Sequence, residues 1–388
     1  MVGLLARRLR LPYTVGLLVA GLIIAVLRKD AGVVLTSELL FNVLLPPLLF
    51  EASLYIHWRE LKKDIGPVGV LATAGVIIAA AVVGISMRFA LGWPWTSAIL
   101  FGVIISATDP VAVIMTFKDI GATGRLRLLV ESESLLNDGV AATLFGVAVL
   151  VASGAHIGAP AIAGQLAWSI IGGVTAGLLC GAAAALLIGR TEEHLIETTF
   201  TAVAAYGSFM LAERLQCSPV LATVAAGMYM GNAGMFRSND KRVLSDRGID
   251  VVVAFWDVVA FLINSLIFLL MGITAVQTVL PQIGPDTARI VFLAIAAAVA
   301  GRALTVYPLS MLFARGPERI ERAHQHVLFW GGLRGALALA LTFSLPESLP
   351  YRLQITQATF GVVAFSILVQ GSTITALLRC LDILPKKG

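Results

Sequence analysis

The sequence predicts an all-α polytopic membrane protein of about twelve transmembrane helices. Three observations predict it. Of 388 residues, 58% are hydrophobic and only 13% charged, against roughly 25% charged in a soluble domain. Apolar runs near twenty residues, the length that crosses a bilayer core, recur from end to end and give a mean hydropathy of +0.90. The basic residues then alternate in density from one connection to the next, as membrane orientation requires.

The spans are expected at 11–27, 38–56, 65–89, 95–117, 132–153, 161–189, 195–214, 217–235, 250–275, 287–313, 324–345 and 353–378. The first follows Arg7, Arg8 and Arg10 and has the look of a signal peptide. No small-residue cleavage site follows, and Arg28-Lys29-Asp30 flank it directly, so it reads as a retained span. The second contains Pro46-Pro47, which bends or breaks it, and Glu51 near its end. The third is unbroken; the fourth is interrupted at Thr108-Asp109-Pro110 and the fifth carries ESESLLND. The sixth is long, and the seventh is the least apolar, bracketed by Glu197 and Glu213. After the eighth, the ninth places Asp257 and Asn264 seven apart on one face, which reads as a structural polar stripe. The tenth holds Arg302, and the eleventh holds Arg334 among Gly331, Gly332 and Gly335. The twelfth closes the series.

With these spans, 20 of the 28 Lys and Arg fall on the N-terminal side of the membrane and six on the other, with Arg302 and Arg334 inside spans. The asymmetry predicts a cell-membrane protein with both termini cytoplasmic. The net charge of +5 is then a matter of topology, and nucleic acid is not expected as a partner. Cys180, Cys217 and Cys380 have neither metal-ligand nor disulfide spacing. The five histidines sit at span ends or in loops, where a solvated role is expected. No cofactor is expected.

The chemistry is concentrated in Ile104–Val140. Asp109, Glu133 and Asp138 lie in or at the ends of apolar segments, and each carboxylate at bilayer depth costs about 2.5–3.5 kcal/mol. Pro110 removes a backbone donor and disfavours helix at Asp109, which frees carbonyls that suit a small hard cation. A proline kink with Asp109 as a helix cap is the other reading. Glu133 with Asn137, and Ser134 with Asp138, are each four apart, and so form two adjacent walls of one helix. Ser134 as a cap and Asp138 as a satisfied structural acid stay open. The glycines around Arg334 weaken span eleven, and two broken spans in the two halves of a chain point to a transport site at the midplane. Glycines packing closely against a neighbouring helix are the alternative. Two readings are also open for Glu51, an interfacial acid or a contributor to the ion path.

The motifs PYTVGLLVAGL, LLPPLLFEASL, SATDPVAV, ESLLNDGVA, FWDVVAFLINSLIFLLMG, GRALTVYP and GGLRGALALAL, in order over nearly all of the chain, resemble the NhaP-type sodium/proton antiporters of the monovalent cation:proton antiporter superfamily. The resemblance implies an inverted-repeat fold with two crossed discontinuous helices. It also implies a homodimer and a part in pH homeostasis. Within one membrane domain it divides the chain into a dimerisation part (about 11–89 and 195–275), a mobile core (about 95–153 and 287–378) and a linker helix (about 161–189). It implies that Asp138 binds sodium and proton in turn, with Ser134, Thr108 and Asp109 completing the coordination and Glu51 touching the ion. It implies further that Glu133 pairs with Arg302 near Asn137, and that Arg334 balances the crossed helices. Such antiporters have thirteen helices, so this chain is expected to lack the first. The expected activity is exchange of Na+, or of Li+ or K+, for H+. Asn137, where electrogenic relatives carry a second aspartate, implies electroneutral exchange. A cation channel or uniporter on the same acidic site is the main rival. An intramembrane aspartyl protease lacks its GxGD motif here, and no enzyme is expected.

Overall fold

A computed structural model describes residues 13–27, 35–120, 124–154, 158–235 and 243–383. Among these the secondary structure is helical, apart from one isolated backbone bridge. The helices are α1 (Tyr13–Leu27), α2 (Leu39–Leu54), α3 (Ile65–Leu91), α4a and α4b (Trp95–Ser106 and Val111–Ile120), α5 (Arg125–Ala152) and α6 (Ala159–Ile188). There follow α7 (His194–Arg214), α8 (Pro219–Met230), α9 (Asp246–Thr274), α10 (Thr287–Met311), α11a and α11b (Arg322–Gly331 and Ala336–Phe343) and α12 (Arg352–Cys380). A four-residue turn of helix, Trp58–Leu61, joins α2 to α3.

All twelve expected spans are thus helical. Among the described residues, seven helices, α3, α5, α6, α7, α9, α10 and α12, are long and apolar enough to cross a membrane unbroken. The others are short, or split where the sequence carries a proline or paired glycines. Span five begins earlier than expected, at Arg125 rather than 132, because RLRLLVE is helix-permissive although charged. Helix starts follow local chemistry. Ser218 caps α8 by accepting the N–H of Leu221, with Pro219 at the first helical position. Ser245 caps α9 by accepting the N–H of Gly248 at 3.0 Å, while its hydroxyl donates to the fully buried Glu197 of α7.

The helices pack in two groups. In one, α3 lies against α10, α4a and α5, and α10 against α12. In the other, α6 packs on α8 and α7, α8 on α2, and α9 on α1. Residues 65–89 pack with the broken helices, and 161–189 pack mainly on α8 and α7. Hydropathy says how much of a helix avoids water, not which neighbour it meets. That choice is made by small residues: a Cβ on Gly102 would fall 2.2 Å from the Ala80 carbonyl oxygen, so α3 and α4a touch backbone to backbone. Within the first group, α3–α4–α5 and α10–α11–α12 share one pattern, a long helix, a broken helix and a long helix.

Candidate ion site

The two breaks meet. Between α4a and α4b, Asp109 is extended, and its N–H donates to the Leu333 carbonyl in the other break at 2.8 Å, an antiparallel bridge between two unwound strands. The crossing leaves two helix C-termini and two N-termini close together, carrying partial negative and positive charge. Two side chains answer them. The Asp109 carboxylate accepts the N–H of Val111 at 2.9 Å and that of Ala336, and so caps α4b and α11b together. Arg334, 4% exposed, donates to the Ile105 carbonyl at 2.8 Å and to that of Gly332, at the ends of α4a and α11a. Gly335 is required here, because a Cβ on it would fall 1.8 Å from Asp109 Oδ2.

α5 passes beside the crossing and presents its two walls in different directions. On one, Ser134 donates its hydroxyl to the Thr108 carbonyl, and the Thr108 N–H donates to Asp138. Asp138 Oδ1 is buried and has no hydrogen-bond partner. Asp109 and Glu133 both lie within electrostatic reach of it. On the other wall, Glu133 pairs bidentately with Arg302 of α10 at 2.7 and 2.9 Å, and Arg302 also donates to the Leu328 carbonyl of α11a. Pair and carbonyl join α5, α10 and α11a. A Cβ on Gly332 would collide with the Arg302 guanidinium. Asn137 is 2% exposed, and its side-chain oxygen also lacks a partner.

A cavity of about 330 Å³ reaches this point. Thr108, Asp109, Ser134 and Asp138 form its floor, together with Gly335 and Ala336. Glu51 lines its wall, and so does Asp257 with Asn264, which places the presumed structural stripe on the cavity itself. Glu133, Asn137, Arg302 and Arg334 lie outside its lining. The sequence reading did not pick out Arg127, Glu131 and Tyr55 as site residues, yet all three line the cavity. The signal was present in the spacing: Arg127, Glu131 and Asp138 fall at i, i+4 and i+11, one face over three helical turns.

A membrane bundle with crossed, unwound helices beside a buried carboxylate suits transport of a small cation, and the comparisons with known proteins bear on which. The family model "Sodium/hydrogen exchanger, transmembrane" matches residues 1–380. The chain belongs to the sodium/hydrogen exchanger family. That is a family of transporters and not of enzymes. Among similar members, the low-affinity Na(+)/H(+) antiporter NhaS1 of Synechocystis is 37% identical over 386 residues, covering 97% of this chain and 70% of that one. The Na(+)/H(+) antiporter ApNhaP of Aphanothece halophytica is 36% identical, with the same coverage. In fold, the exchanger is similar to the sodium proton antiporter MjNhaP1 of Methanocaldococcus jannaschii, with a TM-score of 0.78 at 21% identity, over 98% of this chain and 95% of that one.

Proposed function

We propose that this family member exchanges sodium for protons, one for one, by competition of the two cations for Asp138. Antiport follows from the family; the seat and the stoichiometry are read from the site. The observation that carries them is the buried, unpartnered Oδ1 of Asp138 on the floor of the cavity. A buried carboxylate oxygen without a donor is stable when protonated or when it holds a cation, and the small oxygen cage around it has no room for both.

The surrounding charges support a single exchanging site. Glu133 and Arg302 neutralise each other, Asp109 caps the two helix N-termini of the crossing, and Arg334 binds the two C-termini. Among the described residues, Asp138 is the one acid with a buried unpartnered oxygen. Thr108 through its carbonyl, Ser134 and, across the cavity, Glu51 are the further oxygens we assign to the cation; Asp109 acts mainly as the double cap. With asparagine at 137, one charge moves each way and the exchange is electroneutral. Na+ is the expected substrate, with Li+ or K+ as competitors.

On the orientation argued from the basic residues, both termini are cytoplasmic and the cavity leads to the cytoplasmic side, past Arg127 and Tyr55. The group of α3–α5 with α10–α12 is the part we expect to move, against α1, α2 and α6–α9, which we expect to carry the homodimer contact. The test is sodium-driven proton flux in sealed vesicles, scanned with Na+, Li+ and K+. Counterflow against a gradient supports exchange; downhill sodium flux without proton movement favours a channel or uniporter.

A further inference from the structure

The cavity is lined by a fixed positive charge as well as by its acids. Among the described residues lining the cavity, Arg127 is the one Lys or Arg. It is bound to Glu131 one turn on, Nε to Oε1 at 2.8 Å, with side chains 25% and 14% exposed. Its neighbour Arg125 is not available for this position, since it is paired with Asp64 at 2.6 Å and donates to the Arg319 carbonyl. Across the cavity, Glu51, Asp257 and Arg127 all lie within electrostatic reach of the Tyr55 hydroxyl, which donates to Asp257 at 3.5 Å. Among the described residues, the titratable groups lining the cavity with Arg127 are therefore Glu51 of α2 and Tyr55 just after it, Asp257 from α9, Glu131 and Asp138 from α5, and Asp109 from the α4 break. His57, Arg59 and Glu60 stand on or beside the short helix that packs against α5, the last two exposed.

We propose that the Arg127–Glu131 pair sets the cation affinity of Asp138 from a distance, Arg127 opposing sodium and proton in the cavity and Glu131 cancelling that opposition. This rests on the reading of Asp138 as the contested carboxylate. Arg127 is a positioning charge that touches no ion; the rise of α5 sets its Cα about 16 Å along the axis from that of Asp138. At that range, in a cavity between protein and water in polarity, one unit charge changes cation occupancy about two- to fourfold, and salt screens the effect.

The form of the effect is distinctive, because a potential acts equally on both competitors. When protons occupy the site, strengthening both cations by one factor leaves the sodium concentration needed to displace them unchanged. When protons are scarce, the whole factor appears in the sodium KM. A packing defect has no reason to follow that rule.

The experiment measures sodium KM in vesicles at alkaline and acid pH, at low ionic strength, for the wild type, R127Q, E131Q, R127Q/E131Q and R127K. R127Q is expected to lower the alkaline KM about two- to fourfold and leave the acid KM in place, and E131Q to raise the alkaline KM by a similar factor. The double variant, which removes no net charge, and R127K should both match the wild type, and added choline chloride should shrink every difference. A fall in maximal rate with KM fixed at all pH values, or R127K behaving as R127Q, overturns the proposal. Sodium binding to the purified protein by calorimetry separates the two readings. If Kd follows the same pattern while wild-type vesicles show no exchange, the exchange reading fails and the role of Arg127 stands. If vesicles exchange and neither KM nor Kd moves in R127Q, the role of Arg127 fails alone.

Discussion

The Glu133–Arg302 pair shows how much rests on single side chains in this interior. Both are almost fully buried, 2% and 6% exposed, and Arg302 directs its donors at Glu133 and the Leu328 carbonyl. Removing one member of a buried pair leaves the other charge uncompensated, which costs about 3–5 kcal/mol. Glu133→Gln is therefore expected to lower the thermal unfolding midpoint of the detergent-solubilised protein clearly below that of the wild type. An unchanged midpoint means the pair carries little of the fold. Asp138→Asn makes the opposite case. The substitution removes a charge that no protein donor to Oδ1 satisfies, so the protein is expected to fold at least as stably while losing exchange. At this scale the sequence was informative about residue type and spacing. TDP and ESESLLND named most of the floor of the cavity. It was silent about Arg127 and Glu131, because a charged pair at the start of a helix looks the same whether it faces water or a cavity.

At the scale of elements, the two breaks are held by each other. Pro110 explains why α4 stops, but the Asp109 N–H is already bonded to Leu333, and the Asp109 carboxylate caps both second halves. Gly335→Ala drives a methyl group into that carboxylate, at a site where the neighbour is held from two sides. It is expected to destabilise by more than about 2 kcal/mol, within the range for overpacking a tight site, and to abolish exchange. Full activity in Gly335→Ala vesicles would mean the crossing is looser than described. A control away from the cavity is Ser245→Ala, which removes the α9 cap and the partner of buried Glu197. It should cost about 1–2 kcal/mol, read as a lower unfolding midpoint, and leave the sodium KM unaltered. The interruptions themselves were legible, from a proline after an aspartate and from three glycines around an arginine. Their mutual bridge was not, since local sequence carries no register for two strands that meet from opposite halves of a chain.

For the whole molecule, the count and order of helices were readable because bilayer thickness imposes a length on every span. Partner choice was not, and α3 is the instance. Its apolar sequence fits either group, and close backbone contacts, of Gly102 with Ala80 and of Gly84 with Ala98, join it to the broken helices. The repeated long–broken–long pattern then makes the moving part we propose a six-helix unit, with Asp138 near its contact with α2 and α9 across the cavity. Sodium-gradient-driven proton flux in sealed vesicles, comparing wild type with Asp138→Asn that has been shown to fold, tests that picture most directly. Robust sodium-dependent flux in the wild type and none in the variant is the expected result; flux of equal size in both would remove Asp138 from the seat of exchange.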